Sequence, residues 1–224
     1  AICDDPIKLN SKNFSKFSSF LVANDLSLRL GMTITISVFI KRQLYISDNA
    51  LNPIISKVLK NILIDALPKL LRASIKLIHQ LTQLPHSANY INKVDGALLL
   101  IPLFKHPDAE IADLAFDSLK SLLMVSQPTP KLISLFLNQF ESLVSILDKT
   151  KPLIILQLLS KAPSTFIGIS SKKEILDTFE KCIEEPSNDL KIFTLKLIST
   201  FLYNDKSGLF ISQISKSLIN LLDD

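Results

Sequence analysis

Residues 106–123 read HPDAEIADLAFDSLKSLL, and His106, Asp108, Glu110, Asp113 and Asp117 crowd together there as metal ligands or acid–base groups would. An imidazole and carboxylates at such spacing suit a hydrolytic metal site or a general acid–base pair. The rest of the chain does not complete either chemistry. His79, His86 and His106 stand in different local contexts, with no HExxH pattern and no Cys/His ligand spacing. Cys3 and Cys182 are the only cysteines and form no CxxC pair, and Glu180, Glu184 and Glu185 around Cys182 oppose thiolate formation. The four glycines are isolated, and no Walker loop, dinucleotide fingerprint or GxSxG elbow is present. Lys172 and Lys173 ahead of Glu174 read as a charged helix start rather than a phosphate site. The chain is therefore not expected to be an enzyme, and no catalytic residue, metal or cofactor is assigned.

The elements that carry these residues follow from composition. The 224-residue chain is 47% apolar, dominated by Leu and Ile, with no Trp and four Gly. So little Gly argues against a sheet protein with many tight turns, and helix formers between Pro-marked breaks point to an all-α chain. The net charge of +4 is unevenly spread: residues 26–105 hold ten Lys or Arg against three Asp, whereas residues 113–224 hold twelve Lys against thirteen acids. The basic half either solubilises helix exteriors or attracts acidic peptides, phosphoinositide headgroups or nucleic acid. Its footprint would be Lys41, Arg42, Lys57, Lys60, Lys69, Arg72 and Lys76. Single Lys residues rather than Arg clusters interleaved with aromatics make nucleic acid the weakest of these.

Two distant cysteines fit a reducing cytoplasmic or nuclear setting. The apolar runs 98–104 and 153–159 are too short to span a bilayer. The chain opens on Ala1 and closes just after the apolar segment ISKSLINLL, which reads as a piece of a longer protein.

Apolar periodicity and punctuation predict helices near 13–23, 26–45, 51–64, 67–83, 87–94, 97–105, 109–125, 130–147, 151–162, 172–184, 188–203 and 208–222. TITISVFI (33–40) is β-branched and locally alternating, a strand by propensity. A recurrence overrides it. LAFDSLKSLL (114–123) lies 42 residues after LRASIKLIHQL (71–81), aligning Ala115, Leu119 and Leu123 with Ala73, Leu77 and Leu81. The same step backward reaches Gly31, Thr35 and Phe39, so TITISVFI is assigned to a helix. Steps of 39 forward reach Ile154, Leu158 and Ala162, then Phe193, Leu197 and Phe201. Positions four apart share a helix face, so each triplet is a predicted core stripe, with a small residue at its head where a neighbour approaches closely.

VDGALLLIPLFKHPDAEIADLAFDSLKSLL (94–123) resembles an armadillo repeat: Gly96 after a short first helix, a second helix ALLLIPLF, a turn at 106–108, and a third helix with the Ala-x-x-x-Leu core. Repeats of 39–42 residues also suit the HEAT family. The resemblance implies a right-handed α-solenoid of about five armadillo/HEAT-like repeats over residues 12–224, after an extension at 1–11. It further implies that third helices line a concave groove. Two ladders would then face it: Ser37, His79, Ser121, Ser160 and Ser199, and Thr33, Ile75, Asp117, Leu156 and Leu195, with Arg29, Lys41 and Asp113 beside them.

Armadillo grooves of the importin-α type hold Asn and Trp where this chain has Ser, His and no Trp, which speaks against nuclear-localisation peptides as ligands. Ile75, Leu156 and Leu195 would expose apolar patches of the kind that meet a protein partner. The expected function is a non-catalytic scaffold or regulatory platform capturing a peptide, helix or folded domain. GTPase or kinase regulation and chaperone or assembly adaptation are the candidate roles. Peripheral binding to acidic membranes or nucleic acid through the basic half is the alternative.

Overall fold

The computed structural model describes residues 11–42, 48–64, 67–146, 148–162, 165, 168–169 and 172–204. They form α1 (Ser11–Phe20), α2 (Leu26–Lys41), α3 (Asp48–Ile64), α4 (Pro68–Thr82), α5 (Pro85–Lys93), a 3-10 turn (Gly96–Leu99) and α6 (Leu100–Leu103). These are followed by α7 (Ala109–Val125), α8 (Pro130–Ile146), α9 (Thr150–Leu159), α10 (Lys173–Glu184) and α11 (Asn188–Asn204). The described residues contain no strand. The predicted helix at 208–222 lies outside them.

TITISVFI is helical, within α2. Asp25 caps that helix, its carboxylate accepting from the amides of Ser27 (2.8 Å) and Leu28 (3.2 Å). The two threonines that favour a strand are absorbed by the helix itself: Thr33 and Thr35 donate their hydroxyls to the carbonyls of Arg29 and Gly31, each at 2.8 Å. Pro68 and Pro85 open α4 and α5 at the first turn, where a missing amide hydrogen costs nothing.

Two compact units result, Ala1–Ser126 and Gln127–Asp224. In the first, α2, α4 and α7 lie side by side as one layer, and α1, α3, α5 and the 3-10 turn form the layer behind. The members of the front layer are the three helices related by the 42-residue step. Within the back layer, buried Asn61 of α3 ties that helix to the end of α1 by donating to the Leu21 carbonyl at 2.8 Å. In the second unit α8 packs on α9 and α10, and α11 packs on α9 and α10. A run of rings, Phe136, Phe140, Phe179 and Phe201, fills its core at centroid spacings of 5.9, 6.4 and 6.0 Å.

The core stripes agree with the predicted register in three of five copies. Ala73, Leu77 and Leu81 are buried, as are Ala115, Leu119 and Leu123, and Leu197 and Phe201 of the last triplet. In α2 the register is different: Gly31 and Thr35 are exposed, and Thr33 and Ile36 are the buried residues. A Cβ on Gly31 would meet nothing within 4 Å, so no close helix approach requires that glycine. The reason is that α2 packs on α4 and α1, and turns its Thr33–Ile36 side toward them. In α9, Ile154 and Leu158 are half-buried while Pro152, Leu153, Ile155, Leu156 and Leu159 form the buried face against α8 and α11.

Gly96, by contrast, sits where a side chain would not fit. Asp95 before it is left-handed (φ 57°), and a Cβ on Gly96 would come within 2.8 Å of Leu59 Cδ1, 2.9 Å of Ile91 Cγ2 and 3.0 Å of the Ile91 carbonyl oxygen. The chain therefore turns into the 3-10 segment in direct contact with α3 and α5.

Candidate partner-binding face

The acidic cluster is dispersed by its structural duties. Asp108 is the N-cap of α7, accepting from the Glu110 amide at 3.0 Å, and His106 Nδ1 accepts from the Asp108 amide at 3.0 Å. The Asp108 carboxylate pairs with the Arg72 guanidinium, and Glu110 pairs with Arg72 Nε at 3.0 Å and Lys76 Nζ at 2.5 Å. The hydrogen bond from Arg72 holds the Asp108 carboxyl below the ordinary carboxylate range, and the same pair raises Arg72. Asp113 and Asp117 lie on the exposed face of α7. Among the described residues no three His, Cys, Asp or Glu side chains assemble as a metal site would need. Cys182 is buried, and burial pushes its thiol up, so desolvation rather than the neighbouring glutamates is the main obstacle to a thiolate.

The front layer of the first unit carries the predicted groove residues from Arg29 to Ser121, and α9 and α11 of the second unit carry Leu156, Ser160, Leu195 and Ser199, but their exposures differ. Ile75 and Leu156, expected to face a partner, are fully buried. α4 is contacted by α2, α3, α5 and α7, so only a narrow strip of its circumference stays open, and Ile75 lies on the covered side. Leu156 is buried because α9 turns the opposite way from the predicted register. Thr33 is likewise buried. Leu195 and Ser199 on α11 are exposed, and Ser160 ends α9 half-buried, donating to the Gln157 carbonyl at 2.6 Å.

On the front layer, Ser37 donates to Gln80 Oε1 at 2.8 Å and Gln83 Nε2 donates to Ser121 at 3.0 Å, so these serines join neighbouring helices. His79 is half-buried, its Nδ1 turned inward with no hydrogen-bond partner. Arg29 is half-buried, and its Nε donates to the Ala23 carbonyl.

The open strip of α4 is instead Lys69, Arg72, Lys76, Gln80 and Gln83, residues three or four apart along one face. Three of the seven residues of the basic footprint thus occupy the position assigned to the groove. The remaining four are spread over other helices. Lys41 and Arg42 end α2, whereas Lys57 and Lys60 are on α3 in the back layer, Lys57 donating to Ser18 at 2.9 Å.

Facing the α4 strip is a stripe on α2 that the aligned register concealed: Leu26, Leu30, Ile34 and Val38, each four residues from the last. Leu26, Ile34 and Val38 are 42%, 50% and 41% exposed, which leaves α2 apolar on a side that no helix among the described residues covers. A cleft of about 430 Å³ runs between the helices, lined by Leu30, Ile34, Ser37, Val38, Lys69, Arg72, Ala73 and Lys76. A second of about 410 Å³ adjoins it, sharing Leu30 and Lys69 and adding Leu26, Ser27, Leu67, Pro68 and Leu70. The spacing 26/30/34/38 was available in the sequence, but only the orientation of α2 tells it from a core stripe.

No protein-family profile matches the chain, and no curated protein does. Among solved structures, an engineered protein of the Northeast Structural Genomics Consortium superposes with a TM-score of 0.63 at 10% identity, over 86% of this chain and 81% of that one. A second engineered protein from the same consortium gives 0.66 at 12% identity, over 92% of this chain. This chain spans about half the length of that second protein, 51%. Likeness at such identity is a likeness of fold, here all-helical. No helix among the described residues is long and apolar enough to cross a membrane.

Proposed function

We propose that the chain is a non-catalytic protein-binding module, an α-solenoid of about five armadillo/HEAT-like repeats that captures a partner on the layer formed by α2, α4 and α7. One observation carries this reading: an apolar stripe on α2 left exposed beside the cationic strip of α4. Exposed apolar surface of this kind, rimmed by polar residues, is typical of interaction sites. The repeat spacing supports the reading, since α2, α4 and α7 recur at one interval and pack side by side. The scatter of the basic footprint over α2, α3 and α4 disfavours a single membrane- or nucleic-acid-binding face.

The test is cross-linking mass spectrometry on complexes purified with the full chain, repeated with Ile34→Asp. Cross-links from partner to α2, α4 or α7 that disappear in the variant support the assignment. Cross-links confined to the back layer refute it. Salt-titrated vesicle co-sedimentation and oligonucleotide shift assays supply the other arm, where strong low-salt binding would favour the electrostatic alternative.

A further inference from the structure

The α2–α4 cleft has a chemistry that selects among protein ligands. Its lining combines the apolar residues Leu30, Ile34 and Val38 with the cations Lys69, Arg72 and Lys76, and contains no acid. The adjoining cleft is also free of acidic residues, and Lys69 borders both. Asp108 and Glu110 hold Arg72 and Lys76 from the α7 side without lining either cleft. They fix the two side chains in place, while Lys69 brings the excess positive charge. A ligand seated here would need apolar side chains along one face and negative charge along one edge.

Backbone chemistry decides its conformation. An extended peptide brings unpaired amide and carbonyl groups that must find partners in the groove. The cations of this lining can donate to peptide carbonyls, but it holds no carboxylate or side-chain amide to accept from peptide N–H groups, and its one hydroxyl, Ser37, is already bonded to Gln80. An α-helix satisfies its own backbone and presents side chains alone. The α2 stripe from Leu26 to Val38 repeats every four residues and extends for roughly 18 Å at a helix's rise per residue, a match for about three turns of a partner helix.

We propose that this cleft seats an amphipathic α-helix of a partner protein, its apolar face against Leu30, Ile34 and Val38 and its acidic edge along Lys69, Arg72 and Lys76. The proposal rests on the binding-module reading and names the class of partner. Helix-in-groove recognition of this kind is read out by apolar anchors at i, i+3 or i+4, and i+7. The charged edge contributes mainly to orientation and association rate.

The experiment is selection of random 16-residue peptides displayed on phage against the immobilised full chain, followed by fluorescence anisotropy of the enriched peptides in solution. Enriched sequences should show helical apolar periodicity and an excess of Asp and Glu. They should bind Ile34→Asp and Lys69→Glu at least tenfold more weakly, and Lys substitutions on the peptide's acidic edge should recover affinity for Lys69→Glu. Both replaced residues are exposed, so unchanged circular dichroism and Tm would confirm that the variants fold.

Enriched peptides that are basic or aperiodic, or that bind both variants as tightly as the parent, overturn this proposal and leave the binding-module reading standing. Enrichment of nothing, together with strong low-salt binding to phosphatidylserine vesicles, overturns both. A concentration-dependent dimer in analytical ultracentrifugation that Ile34→Asp abolishes would assign the cleft to a second copy instead, and so also overturn it.

Discussion

Gly31 is expected at the head of a core stripe, where a neighbouring helix approaches, and Gly96 only after the first helix of the repeat, yet the structure gives alanine substitutions at them the opposite signs to that expectation. At Gly31 an added Cβ meets nothing within 4 Å, and the residue is exposed inside α2. Alanine there removes the conformational entropy penalty of a helical glycine, a stabilisation of about 1 kcal/mol. At Gly96 the Cβ meets Leu59 Cδ1 and Ile91 Cγ2 below 3.0 Å, and the Ile91 carbonyl oxygen at 3.0 Å. The two methyl groups can rotate away at some cost in packing, but the carbonyl belongs to the turn that ends α5. Overpacking of that kind destabilises by about 1–3 kcal/mol.

The two variants should therefore differ by roughly 2–4 kcal/mol, and at a urea m-value of about 2 kcal/mol/M their midpoints should separate by about 1–2 M. Urea unfolding followed by circular dichroism measures this. Hydrogen exchange of α3 and α5 amides is read in parallel, because a chain with two compact units need not unfold in one step. Equal midpoints, or a stabilised Gly96→Ala, would refute the close approach of the 3-10 turn to α3. A destabilised Gly31→Ala would refute the placement of α2.

Three further outcomes are expected. Leu156→Ala should cost about 2–5 kcal/mol as a buried leucine, whereas Leu195→Ala, 41% exposed, should stay within about 0.5 kcal/mol; similar midpoints for the two would contradict the rotation assigned to α9. Asp108→Asn keeps the cap oxygen and loses the charge paired with Arg72. Because the folded-state pKa of Asp108 is depressed, its stabilisation is complete above the ordinary carboxylate range, about pH 4, and is lost as pH falls through the lower folded value. The stability gap between parent and variant should thus shrink below about pH 4 in thermal melts, and a gap independent of pH would show that the ion pair contributes nothing. In a Cys3→Ser background, Cys182 should react with a disulfide reagent only as fast as its unit opens, and labelling should accelerate with urea; rapid labelling of the native chain would disprove its burial.

The sequence by itself determined the helical class, most helix positions and the interval that relates α2, α4 and α7. Those follow from local rules: apolar spacing, capping by Asp25 and Asp108, and proline at first turns. It also identified Asp113 and Asp117 as outward residues, because the third copy keeps its core stripe on the side that the other helices cover.

What the sequence could not decide was rotation about each helix axis. A helix with apolar residues on more than one face can bury either, and which one faces the core depends on how many neighbours surround it. α4, packed by α2, α3, α5 and α7, buries Ile75 and keeps only its cationic strip. α2, packed on α4 and α1, buries Thr33 and Ile36 and leaves Leu26, Ile34 and Val38 outside. The cluster that resembled a catalytic site became a helix cap with two ion-pair partners, and the candidate binding surface emerged from lysines and leucines that no motif marks.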